Sequence, residues 1–511
     1  MAALSIAPWP TSSNTEGLKP PDLPPPASIV SRHSWGEGVT DVCLDSGLRI
    51  ILKPTDFLDD DIQFSAFAWT GISQAPQELL MHARLARSVA DELGWAGIPR
   101  EELLDLLAGL RLSASPSIGA YSRGIAGDCS PTDLESLLQL AYRLFTSQVN
   151  VDMERLATLH SLLRDSVVNR DKDPDGVFSR KVAEVTTCAH PYFRPMELDD
   201  LDGLAAEGEA QKIAKVFDSA FCGVDGWTLV MVGNLVVDEV LPLCCQYLGI
   251  PADAPAPDGG SPAAVAVAGA PLFSGQRDDI TPLEVRFPDA SAEVRVVRPM
   301  AGAPRSRACI SFPLALERKK GCLESLRRLT ALDVAISVMD KCLRETLRFD
   351  KGGVYGASVS TAFGSSPPLP DTPLHGVCSI DFDCDPARQP EMIAAALAEF
   401  EKRRSEAPSA EQVSSTLEGL RRGHEESLRT NGYWVGGLTA CVMSTRYEHH
   451  KGDLARIYRE RQSVQREVWA ASTPETVRAT LAETFPDSCL VGRRTVVTLF
   501  PEAAAETEEA N

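Results

Sequence analysis

The feature that most constrains this chain is an internal repeat. Asp128-Cys129-Ser130-Pro131 recurs 255 residues later as Asp383-Cys384-Asp385-Pro386. Four residues are a weak signal alone, but the order of elements around them repeats as well. After each Pro the spacing predicts a helix, through Leu134, Leu137, Leu138, Ala141 and Phe145 in one copy and through Met392, Ala395, Ala396 and Phe400 in the other. A second helix follows in each, through Leu156, Leu159 and Leu163 and through Val413, Leu417 and Leu420. Upstream the pattern predicts a hairpin: around Leu110 to Cys129, broken near Pro116 to Gly119, and around Val354 to Cys384, broken at Gly364 to Pro370. Downstream, a helix and a strand close each copy: Gln211 to Phe221 then Trp227 to Val232, and Pro474 to Phe485 then Arg494 to Phe500. The expected fold is α+β: two like domains, each a mostly antiparallel sheet with helices on one face.

A chain of 511 residues is too long for a single core, which agrees with that division. The expected boundaries are a Pro-rich linker or tail over 1–37, a first domain over 38–250, a Pro/Ala/Gly-rich linker over 251–289, a second domain over 290–500 and an acidic tail over 501–511. With 44% apolar and 24% charged residues the chain reads as ordinary globular protein. Its net charge of −21 repels phosphate and anionic lipid, so no nucleic acid and no membrane surface are expected as partners. The apolar run Ala263 to Ala270 is far shorter than a membrane span, and Met1 to Pro10 shows no secretory pattern. Thirteen cysteines, an odd number without a CxxC pair, suit buried thiols in a reducing intracellular compartment, cytosol or organelle.

Metal chemistry would need His ligands at helical spacing, and neither HExxH nor HxxEH occurs. His82 lies on a helix stripe with Leu85, Val89 and Leu93, but the positions that would complete HxxEH are Leu85 and Ala86. A lone imidazole cannot hold zinc, so His82 is expected at the surface or the edge of the core. His424-Glu425-Glu426 lacks a second His, and Tyr447-Glu448-His449-His450 sets its imidazoles on neighbouring helical positions that face different ways. His190-Pro191 fits a turn, or a loop touching substrate. GxGxxG, GxxxxGK[ST] and GxSxG are absent, and no Cys or Ser nucleophile signature stands out.

The informative stretch is Leu343 to Ser360. A long amphipathic helix from about Gly321 carries Arg344 and Arg348, Asp350-Lys351-Gly352-Gly353 supplies a flexible exit, and a strand begins at Val354-Tyr355. This corner holds a planar fork of donors on Arg348 and a phenol on Tyr355 near one another in sequence. Such a pair can serve packing and ion pairing, or aim donors at a carbonyl and its oxyanion.

Gly38 to Phe57, Phe64 to Pro76, Ser130 to Thr146, Leu229 to Leu235, Leu347 to Ser360 (LRFDKGGVYGASVS) and Asn431 to Leu438 (NGYWVGGL) together resemble the pitrilysin (insulinase) family of zinc peptidases, in its carboxy-terminal, non-zinc half and nearest the PqqL-type zinc proteases. The resemblance implies halves built of paired α+β domains that close around a peptide. HxxEH and zinc belong to the amino-terminal half, and the last domain supplies an Arg and a Tyr seven residues apart, the spacing of Arg348 and Tyr355. It implies that Arg348 anchors substrate backbone, that Tyr355 steadies the oxyanion of the attacked peptide bond, and that Gly352 and Gly353 line the same site. No cofactor is expected in this chain; zinc is expected in a partner half bearing HxxEH, on the same gene product or a separate subunit. The alternative is a non-catalytic assembly or scaffold subunit of the same fold.

Overall fold

The structure, a computed structural model, describes residues 17–20, 23–204, 208–251, 266–267, 270–300, 305–319, 321–364, 366–369, 371–444, 450 and 453–502. The first half of the sequence runs through strands β1 (Ile29–Gly36), β2 (Val39–Leu44), β3 (Arg49–Pro54) and β4 (Ile62–Trp69), then helices α1 (Leu80–Leu93) and α2 (Arg100–Leu107). The hairpin β5 (Leu112–Ile118) and β6 (Ser122–Cys129) follows, then α3 (Leu134–Thr146), α4 (Met153–Asn169), α5 (Pro174–Thr186), α6 (Leu198–Leu204), α7 (Glu209–Ala220), β7 (Thr228–Gly233) and α8 (Val237–Leu248). A two-residue ladder, β8 (Ala266–Val267) with β9 (Ala270–Pro271), precedes the second half. There β10 (Ala292–Arg298), β11 (Ser306–Leu316), α9 (Leu323–Arg344), β12 (Val354–Ala362) and β13 (Leu374–Cys384) lead to α10 (Gln389–Ser405), α11 (Ala410–Ser427), α12 (Asn431–Val442), α13 (Leu454–Ala471), α14 (Pro474–Thr484), α15 (Asp487–Gly492) and β14 (Thr495–Pro501).

The strands form one sheet in the order β1-β2-β3-β7-β4-β6-β5 and another in the order β10-β14-β11-β13-β12. Five positions correspond in order and direction. β3 runs parallel to β7 as β10 does to β14, and the remaining neighbours are antiparallel. The repeat sits in register: Cys129 pairs with Ile62 and Leu112, and Cys384 with Ser306 and Val354. After each motif a capped 3₁₀ turn starts the next helix. Ser130 accepts from the Asp133 N–H in one, and Asp385 from the Ala387 N–H in the other.

Two compact units result, and neither is a continuous stretch of sequence. The first draws on Met1–Leu163, Asp199–Thr281 and Leu428–Ala440, and the second on Arg164–Leu198, Pro282–Ser427 and Cys441–Asn511. Sequence halves and compact units thus coincide except for one segment in each direction. In the second unit, Ile310, Phe312, Ile380 and Phe382 face a core completed by Val338, Met339, Phe400 and Phe485. The opposite face of the same sheet, through Val296, Cys309, Val497 and Leu499, is covered by Phe178 of α5. A sheet buried on both sides explains why every residue of β14 is buried, as in the corresponding β7. In the first unit, α12 is anchored by Asn431, which is 2% exposed. Its amide donates to Asp61 Oδ2 (2.8 Å) and accepts from Thr55 Oγ1 (2.7 Å), while Lys53 lies 3.9 Å from the Trp434 ring centre.

Several local expectations change. β1 lies inside the stretch read as linker; it is an edge strand exposed along most of its length, so no alternation marks it. Pro116 does not break the first hairpin but sits within β5, an edge strand, where a missing N–H costs no ladder bond; the turn lies at Gly119–Tyr121. Part of the second linker packs as well: Leu272 and Phe273 are buried, and Gly275 bridges Trp69. Residues 1–16, 21–22, 252–265, 268–269 and 503–511, from the predicted linkers and acidic tail, lie outside the described residues, as do Tyr447, Glu448 and His449. Among the described residues no helix is long and apolar enough to cross a membrane.

Candidate active-site corner

The corner begins with α9, which buries Leu332, Ala335, Met339, Cys342 and Leu343 against the second unit's sheet. At Glu345–Asp350 the helix widens into a π-helical turn, a feature that recurs at functional sites. Leu347, fully buried, fixes the turn to the core, and Arg348 beside it projects outward and is exposed. Lys351 N–H donates to Thr346 O (3.0 Å) and Gly353 N–H to Leu347 O (3.1 Å), closing the helix end. Gly352 has φ +58°, a left-handed conformation that glycine adopts without strain. Gly353 is required by space, because a Cβ there would lie 2.2 Å from Met392 Sδ, and Met392 is fully buried.

Tyr355 follows at once. The pairing of β12 with β13 slips between Val354, opposite Cys384, and Gly356, opposite Asp383, so Tyr355 is the extra residue of a β-bulge. Bulges bend a strand and re-aim a side chain. Here the side chain is 72% exposed, high for a phenol, with its backbone on the edge strand of the sheet. Farther along that edge, Val359 N–H is already taken by Asp340 Oδ1 of α9 (2.9 Å), and Asp340 also pairs with Arg344. An inward-turned carboxylate of this kind blunts an open edge at mid-strand. The stretch next to the corner, Tyr355 to Ser358, has β13 as its sole strand partner among the described residues.

The helix α10 borders the turn. Arg388 and Glu391 form a paired fork (3.1 Å), which holds the Glu391 carboxyl below its usual range and the guanidinium above its own. Arg388 was not singled out by sequence; its only signal is its place three residues after Asp385 of the repeat.

The other flagged residues lie elsewhere. His82 is buried, its Nε2 2.5 Å from Glu209 Oε2, so it ties α1 to α7. His190 Nδ1 accepts from Tyr192 N–H (3.2 Å) in a local turn. His424 meets the edge of Trp469 at 5.7 Å. Leu156, Leu159 and Leu163 of α4 line an apolar cavity of about 190 Å³ with Leu85 and Val89. Among the described residues no group of three or more His, Cys, Asp or Glu side chains converges on a point where a metal ion could be held, and no disulfide joins the described cysteines.

Residues 225–420 match the family model for the peptidase M16 inactive domain. Over that stretch the chain is similar to the inactive domain of the M16, pitrilysin-type peptidases. An Arabidopsis thaliana protein described as "Zinc protease PQQL-like" is 29% identical over 498 residues, 97% of this chain and 47% of that protein. The periplasmic protease PqqL from Escherichia coli superposes with a TM-score of 0.68 at 17% identity, covering 94% of this chain and 47% of that one. The first half of PqqL, solved separately, superposes with a TM-score of 0.63 at 13% identity, over 93% of this chain and 95% of that one. The chain thus spans about half the length of the full-length relatives it matches and has the fold of one M16 half.

Proposed function

We propose that this chain is the substrate-binding and transition-state-assisting half of a pitrilysin-type zinc endopeptidase, completed by a half that bears HxxEH. Zinc in that partner half supplies the Lewis acid. This chain supplies donors. The Arg348 guanidinium binds a substrate carbonyl or carboxylate through its planar fork. The Tyr355 hydroxyl donates to the oxyanion as negative charge builds on the peptide oxygen, where a preoriented donor is worth more than in bulk water. An extended peptide lying along Tyr355 to Ser358 gains main-chain hydrogen bonds without strong sequence choice. The observation that carries the reading is Tyr355, an exposed phenol projected by a bulge beside a π-helical turn that carries Arg348. We place the chain in a reducing compartment on the strength of its thirteen cysteines, an odd number without a CxxC pair.

The test is turnover of an extended peptide by the chain combined with its HxxEH-bearing half. Tyr355→Phe is expected to slow turnover by about 10² or more at unchanged zinc content. Equal turnover for Tyr355→Phe and wild type would transfer the chain to the scaffold reading.

A further inference from the structure

We propose that Arg388 is the positioning residue of the Arg348–Tyr355 corner, holding the turn between them by donating to its carbonyls. The functional part of this inference rests on the reading of that corner as a substrate wall; the structural part stands without it.

The backbone of Arg388 is itself fixed. Asp385 caps the 3₁₀ turn Pro386–Arg388, and Arg388 N–H donates to Asp385 O (3.0 Å). From that base the guanidinium reaches the exit of the π-helical turn, where Nη1 donates to Gly352 O (3.2 Å) and Nη2 to Lys351 O (3.1 Å). Carbonyls just past a helix end carry partial negative charge, and a cation there is favourable. The same fork is steadied by Glu391, through Nε to Oε2 (3.1 Å) and Nη2 to Oε1 (3.2 Å). Met392, one residue further, closes under Gly353. Arg388 of the 3₁₀ turn and Met392 of the first turn of α10 thus grip three consecutive residues, Lys351 to Gly353, with Arg348 before them in the chain and Tyr355 after them.

The internal repeat supplies an independent argument. Arg388 lies 255 residues after Asp133, the offset of the Asp-Cys-x-Pro motif. Leu112 and Val354 are equivalent, since each pairs with the Cys of its motif, so Arg111 is the counterpart of Gly353. In the first unit Asp133 Oδ2 accepts from Arg111 N–H (2.9 Å), holding the chain as it enters β5. In the second unit the same position holds the chain as it enters β12, with the polarity reversed: a guanidinium on carbonyls replaces a carboxylate on an N–H. A clamp at this place is therefore general to the fold, and its chemistry is specific to the copy that carries Arg348 and Tyr355.

The test is amide exchange in the full chain, read at Gly353, whose N–H is bonded to Leu347 O. Arg388→Met keeps length and removes every donor; exchange at Gly353 is expected to rise about tenfold or more, with β11 amides unchanged. Arg388→Lys, which can still donate, should recover part of the protection. Arg388→Asp installs the residue of the first copy against carbonyls and should be at least as fast as Arg388→Met. With the HxxEH-bearing half added, Arg388→Met should lower kcat more than it raises KM, with partial rescue by Arg388→Lys. Wild-type exchange at Gly353 in Arg388→Met, or no difference between the Lys and Met variants, overturns the inference. If exchange rises as stated while Arg388→Met and Tyr355→Phe both turn over like wild type, the clamp stands and the substrate-wall reading falls.

Discussion

Asn431 closes a buried polar network with one amide, accepting from Thr55 and donating to Asp61. Removing it takes one bond from the half-buried Thr55 hydroxyl and one from the Asp61 carboxylate, which Gln63 and Arg111 still contact, so Asn431→Ala should lower stability by about 1–3 kcal/mol in denaturant titration. Asn431→Asp should cost more, because it sets a second carboxylate against Asp61. Asp218 tests the opposite case, a buried acid without a cation. Burial raises its pKa to about 7 against a reference of 3.8, the Val149 N–H opposing the rise. Between those values the folded chain holds a proton that the unfolded chain has released, so stability falls as pH rises through that window. Asp218→Asn should flatten this slope in thermal melts between about pH 4 and pH 7. At this scale the sequence was legible where chemistry is unusual. Arg348 and Tyr355 stand out because a double glycine separates a helix from a strand. Arg388 and Asn431 do not, because their roles depend on partners 36 and 370 residues away.

Helices that bury one stripe announced themselves: α3, α7 and α14 lie within two residues of the spacing that predicts them. The starts of α3 and α14 are also marked locally, by the capping side chains of Ser130 and Thr473. The π-helical turn and the bulge at Tyr355 were not legible, since both are one-residue departures settled by packing rather than by pattern. Nor was the covering of the second sheet's opposite face by a helix from the other half of the sequence, because α5 shows only a weak apolar stripe. Phe178 carries that cover, 2% exposed with Arg307 5.0 Å above its ring. Phe178→Ala should therefore cost about 3–5 kcal/mol, measured as a shift in denaturant midpoint. Gly353→Ala should destabilise by about 1–3 kcal/mol through its clash with Met392. The effect should shrink when Met392→Ala is already present, a non-additivity that a double-mutant cycle reads directly.

For the molecule as a whole, the repeat carried most of the information. Two copies of one motif at a fixed offset predict two sheets with corresponding strands, and five strands correspond. The same fold is shared with full-length PqqL and with its separately solved first half. Function is less legible at this scale, because the proposed chemistry is divided between this chain and a half that bears HxxEH. Peptide hydrolysis and bound zinc, measured for the purified chain alone and again with that half, test the division most directly. The account predicts neither zinc nor cleavage for the chain alone, and zinc-dependent cleavage that falls with Tyr355→Phe once both halves are present. Stoichiometric zinc and chelator-sensitive hydrolysis by the chain alone would contradict it.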